Sequence, residues 1–193
     1  RHGISLAGLE YLRVRHGDQI TAAATTSDVC HTIIKPATVA AGWINEVTLT
    51  DPDKRWFNHE YRETATGRVQ PQPPPGTMSY CELLLANPAT AHFVGRPTVF
   101  LSHAWLYLFL NVLAALRAFV GARPAGAPEV FFWFDCFSID EHATQALPPE
   151  CACRSGPPPR PPASLRLGLA HDLELSGALP LLLPACCRPA ADG

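Results

Sequence analysis

Hydrophobic and polar positions change their rhythm several times along this chain, and each change predicts an element. The clearest run is "RPTVFLSH", ending at Ser102-His103. Pro97 stands at its edge, β-branched and aromatic residues fill it, and it lacks alternation, which predicts a fully buried strand. From Trp105 the spacing turns helical, with Leu106, Phe109, Leu110, Leu113, Leu116, Phe119 and Val120 on one face and Asn111 and Arg117 off it. Gly121, Pro124 and Gly126 end that helix. "EVFFWFDCFSID" then predicts a second buried strand, apolar without alternation until Asp135. Strand, helix and strand in this order form a βαβ unit, whose crossover returns the second strand parallel to the first. Upstream, "SYCE" at Ser79–Glu82 fits a capping box and opens a short helix that stops before Asn87-Pro88.

The first part of the chain is less regular. In "TTSDVCHTIIKPAT", Thr26 or Ser27 offers a helix N-cap, Asp28 suits the first turn, and Lys35-Pro36 reads as a stop. "GWINEVTLTDPDKRWFNHEYRETATGR" reads as two extended segments about a turn at Asp51-Pro52-Asp53. "VQPQPPPGT" reads as a stiff linker or boundary. The predicted organisation is a small, irregular, loop-rich N-terminal extension over 1–76, an α/β part over 77–150, and a low-complexity tail over 151–193.

That tail carries no Ile, Val, Phe, Tyr, Trp, Met, Lys, Asn, Gln or Thr. Successive prolines in "RSGPPPRPPAS" exclude helix and central strand. Its composition predicts a disordered or non-native segment, the product of a truncation, retained intron or frameshift after Glu150. The alternative is a genuine proline-rich linker followed by a weak amphipathic stretch.

Bulk properties exclude some classes of function. At 193 residues the chain suits one domain with a substantial core, and a net charge of −2 gives no argument for binding nucleic acid. The stretch from Ala104 to Leu116, interrupted by Asn111, falls short of the roughly 20 residues a membrane span needs. Nor do the first residues, starting at Arg1 with scattered charges, read as a secretory signal, so a soluble cytoplasmic protein is expected. Of seven cysteines, Cys30, Cys81 and Cys136 stand singly in predicted elements and read as buried thiols. Cys151-Ala-Cys153 and Cys186-Cys187 lack zinc-ligand spacing, so no metal is expected.

Candidate chemistry follows from the βαβ unit. Open α/β sheets bind ligands beyond the carboxyl ends of their strands. There stand Ser102, His103 and Trp105 after the first strand, and Asp135, Asp140, Glu141 and His142 after the second. Adjacent residues of a strand point to opposite faces, so Ser102 and His103 do not read as a catalytic dyad. His103 reads either as a satisfied strand-end histidine or as a chemical group. The three carboxylates read either as turn and cap residues or as ligands for a ribose or a hard cation. Trp105 and Trp133 read as core or as a stacking platform, and Cys30-His31 as a simple helix pair.

"VFLSHAW", a helix and "VFFWFDCF" together resemble the start of a Toll/interleukin receptor (TIR) domain over about Thr98 to Asp140. With "DVCHTIIKPAT" added, the chain is similar from about Thr25 to Glu150 to a group of uncharacterised algal and protist proteins sharing "SHAW" and "FFWFDxF" motifs. The resemblance implies a partial flavodoxin-like, parallel α/β sheet and a self-associating signalling module with protein partners. Some TIR domains cleave NAD, so NAD is the cofactor or substrate it allows. Their catalytic glutamate lies in a segment of the form S-x-W-C-x-x-E-L, and nothing after Glu150 matches it. The expectation is therefore an interaction module with no catalytic residue, and a chain of low stability. A nucleotide-processing enzyme of the same fold, acting at the strand-end edge, is the alternative.

Overall fold

Ser5 is where the first strand becomes the first helix. In a computed structural model, which describes residues 2–53 and 56–143, strand β1 (Gly3–Ser5) runs directly into helix α1 (Leu6–Arg15). The Ser5 hydroxyl caps the helix by accepting from the Gly8 amide at 3.2 Å. Gly8 also permits close packing: a Cβ there would lie 2.8 Å from Ile4 Cγ1 and 2.9 Å from Phe93 Cβ. All described residues fall in the unit Arg1–Leu147.

A longer helical segment follows in three pieces. Helix α2 (Thr26–Val29) passes through a π-helical turn, Cys30–Ile34, into α3 (Lys35–Thr38). The N-cap is Thr25, one residue earlier than the sequence suggested, in a capping box with Asp28. Pro36 does not stop the helix. The wide turn ends just before it, so the proline sits in the first turn of α3, where no intrahelical amide bond is required.

Strands β2 (Trp43–Asp51) and β3 (Trp56–Glu63) form the expected hairpin, joined on its far side by β4 (Val69–Gln70) in a three-stranded antiparallel sheet. Val69 and Gln70, read from sequence as linker, thus belong to this sheet. Its faces differ: Asn45, His59 and Tyr61 point inward and are buried, while Glu46 and Arg62 pair on the outer face through two hydrogen bonds of 2.7 and 2.9 Å.

Helix α4 (Tyr80–Ala86) opens on the expected capping box, Ser79 with Glu82. After a 3₁₀ turn (Ala91–Phe93) come β5 (Val94–Gly95) and β6 (Val99–Leu101), then helix α5 (Phe109–Gly121), strand β7 (Phe131–Phe134) and helix α6 (Asp135–Ser138). The βαβ unit is present: β6 and β7 are adjacent and parallel, with Phe100 opposite Trp133.

Around that pair the architecture departs from a parallel sheet. The order is β5-β1-β7-β6, and β1 runs antiparallel to both β5 and β7. The chain is thus α/β with a mixed sheet, and its inner strand β1 comes from the very start of the sequence. Among the described strands β6 lies at the sheet edge rather than buried, and β7, apolar throughout, alternates in burial instead of being covered on both faces. The reason is one-sided packing. Phe132 and Phe134 are fully buried beside α5, with Phe119 edge-on to Phe132 at 6.1 Å between ring centroids. On the other face Phe100 is 65% exposed and stacks on Trp133 at 4.8 Å with 13° between the rings.

The main core joins Ile4, Leu9 and Leu12 to Leu113, Leu116, Phe132, Phe134 and Phe137. Cys30, Cys81 and Cys136 are free, buried thiols within it.

Candidate functional site

The "SHAW" joint is a fastened turn rather than the start of a helix. Ser27 donates its amide to the Trp105 carbonyl at 2.9 Å, and the Thr26 hydroxyl donates to the same oxygen at 2.7 Å. The Thr26 amide reaches the Tyr107 carbonyl at 2.9 Å, and Phe109 N–H reaches the Ala24 carbonyl at 2.9 Å. These bonds hold Trp105–Leu108 out of helical geometry, so α5 starts at Phe109 and not at Trp105. The first amides of α2 are satisfied by another segment's carbonyls.

Beneath this turn lies His103. Its side chain is 2% exposed, and neither ring nitrogen has a hydrogen-bond partner among the described residues. Asp135 Oδ1 is 3.7 Å from its Nδ1, too long for a hydrogen bond. Phe134 meets the ring edge-on at 4.6 Å and Trp105 covers it at 5.7 Å. Burial pushes the His103 pKa down, against the attraction of Asp135. The neighbouring strand ends therefore bring together His103, Trp105 and Asp135.

Asp140, Glu141 and His142 face a different neighbourhood. Asp140 accepts from the Thr77 hydroxyl at 2.7 Å and from the His142 amide at 2.9 Å. The Glu141 carbonyl accepts from Lys35 Nζ at 3.0 Å. His142 is fully buried and bonded at both nitrogens. Thr38 donates its hydroxyl to the Ile34 carbonyl at 2.9 Å, so its oxygen accepts from His142 Nε2 at 3.1 Å. The proton is therefore on Nε2, and Nδ1 accepts from the Tyr61 hydroxyl at 2.9 Å. This neutral ring has its pKa lowered to about 4, by burial first and then by Lys35. Ser102 is half-buried at the end of β6, and Thr77–Asp140 closes the loop edge on the far side.

Two histidines outside the predicted set complete the arrangement. Asn45 Oδ1 accepts from His59 Nδ1 at 3.0 Å, which leaves the Nε2 of neutral His59 as an acceptor. His31 Nδ1 donates to it at 2.8 Å, so His31 carries its lone pair on Nε2. The His31 ring stacks on Phe57 at 4.6 Å and lies 6.3 Å from Trp105. Burial, with Lys35 nearby, lowers His31 to about 4 and His59 to about 3. Lys35 itself is 1% exposed. Its pKa is also lowered by burial, opposed by Cys30, Glu141 and Asp140.

A sequence signal for this group existed: Phe57, His59 and Tyr61 recur with period two, placing all three on one strand face. The buried Lys35 carried no such signal.

No group of three or more histidines, cysteines or carboxylates among the described residues could hold a metal ion. A cleft of about 180 Å³ lies at the start of β7, lined by Leu6, Val120, Arg123, Glu129 and Val130, at the opposite end of that strand from His103. No described helix is long and apolar enough to cross a membrane. Comparison with protein-family models, curated proteins and solved structures finds no match.

Proposed function

We propose that this chain is a TIR-like protein-interaction module whose working surface is the β6 edge, unpaired among the described residues, and the outer face of the four-stranded sheet. The observation that carries the reading is the stack of Phe100 on β6 against Trp133 on neighbouring β7, with Phe100 65% exposed. An edge strand offers unpaired backbone groups to a further strand, and an exposed aromatic pair adds apolar area at the same place. The occupant is a second copy: an edge strand is self-complementary across a two-fold axis, and a net charge of −2 opposes pairing only weakly. The test is sedimentation of the wild-type chain beside Phe100→Asp. Concentration-dependent self-association that Phe100→Asp abolishes, with an unchanged far-ultraviolet spectrum, is expected. A wild-type chain that stays monomeric at every concentration overturns the reading.

One observation favours a second reading, nucleotide processing at the strand-end edge: buried His103 lies beside Asp135 without a hydrogen-bond partner among the described residues. Release of nicotinamide from NAD that His103→Ala abolishes would establish it.

A further inference from the structure

The β2–β3 hairpin meets the rest of the protein through histidines. Phe57 stacks on His31, His59 accepts a hydrogen bond from His31, and Tyr61 donates one to His142. The contacts continue inward from His31 to Trp105 and from Trp105 to His103, so His31 stands between the hairpin and the strand-end edge. We propose that this hairpin is a lid over His31, held shut by uncharged histidines and released by acid.

The geometry explains why protons act as the release. His31 already directs an N–H at His59 Nε2. A proton on that nitrogen aims donor at donor across 2.8 Å, and the bond survives only if His31 gives up its own Nδ1 proton. A second proton on the pair removes that escape. His142 keeps its bond when protonated only by making the Tyr61 hydroxyl an acceptor. Each added charge also sits in an interior that already holds a lysine. Facing His31 are Asp28 from α2, Lys35 from α3 and His59 from the hairpin. Facing His59 are Lys35, His31 and His142. Facing His142 are Lys35, Asp140 and the Tyr61 hydroxyl. Asp28 and Asp140 offset part of the added charge at His31 and His142. The charges that act on His59 are those of Lys35, His31 and His142, all cationic or becoming so as pH falls. His59 is therefore the ring that least tolerates a proton while the hairpin is shut.

The body behind the lid is built otherwise. Leu9 and Leu12 of α1 and Leu113 and Leu116 of α5 share an apolar core with Phe132 and Phe134. The titrating groups of this body are His103 against Phe134 and the Glu10–Arg117 pair between α1 and α5, whose carboxyl Arg117 holds below its ordinary range. Acid thus loosens the hairpin before the sheet, and uncovers His31, the ring that stands beside Trp105. This inference does not rest on the edge-strand reading above.

The experiment is backbone hydrogen exchange on the full chain at about pH 7.5 and about pH 5, corrected for intrinsic exchange, within the range where histidine charge changes. Protection over Trp43–Glu63 is expected to fall at least about tenfold while the amides of Phe109–Gly121 keep theirs. Loss of protection in both segments together, or in neither, overturns the proposal. The double variant His31→Gln, His59→Gln should shrink the pH-dependent change in hairpin exchange to the part carried by His142 and Tyr61, and an undiminished change overturns the proposal. If that variant fails to fold, the wild-type comparison of hairpin with α5 still decides the matter.

Discussion

The two sheets of this protein are anchored by opposite means. The four-stranded sheet is held by area: Phe132 and Phe134 are sealed beneath α5, and Ile4 joins them from β1. The three-stranded sheet is held by hydrogen-bonded imidazoles around Asn45, His59 and Tyr61, beside a buried lysine. Apolar contact is indifferent to pH and tolerant of small displacements. A chain of specific donors and acceptors is neither, and a single proton reverses its direction. The contrast assigns rigidity to one half and responsiveness to the other.

Acid should separate the halves most strongly. His31 and His142 titrate in the folded state at about 4 and His59 at about 3, below the ordinary histidine value of 6.5. The unfolded chain therefore binds more protons between those limits. The stability these groups confer is fully present above about pH 6.5 and is lost as pH falls towards their folded values. Urea unfolding at a series of pH values should show this decline. A flat profile down to pH 4 would break the comparison.

Phe132→Ala comes next. Removing a fully buried ring from the sheet interior should cost about 3–5 kcal/mol at any pH in that range, read as a lower urea midpoint. A pH-dependent cost would mean that the two interiors are energetically mixed. Tyr61→Phe should have the smallest effect, about 1–3 kcal/mol at neutral pH, because it leaves His142 Nδ1 buried without its donor. That deficit should grow as acid protonates the imidazole, since the new Nδ1–H is a buried charged donor that has lost the Tyr61 oxygen as its acceptor. A penalty that stays constant with pH would place the hydroxyl's contribution elsewhere than at His142.

Local signals in the sequence carried far. The Ser79–Glu82 capping box, the hairpin about Asp51 to Asp53, and the parallel pair joined by α5 were all readable from spacing and turn chemistry. What required long-range information was not. Nothing in "GIS" marks it as the strand between β5 and β7, because three residues carry no period. The burial of β6 was over-read for a related reason: an apolar run reports that a strand is buried somewhere, not whether a second layer covers its other face. At the candidate site, His103 and Asp135 were brought into view by the fold rule for strand ends. His31 and His59 were missed because each is unremarkable alone. Their meaning is their 2.8 Å separation, across 28 residues of sequence. Lys35 looked like a helix terminator because a proline followed it, until the π-helical turn gave that proline a permitted position.

The placement of β1 has a consequence in time. Ile4 pairs with Val94 on one side and with Phe132 on the other. A ribosome delivers residues in order, so β1 must wait, unpaired on its inner side, until the last described strand has emerged. Closure over so long a stretch of chain is slow, and it leaves the hairpin and α1 to form while the sheet is still open. Of the described strands, the first to emerge is among the last to be locked in place.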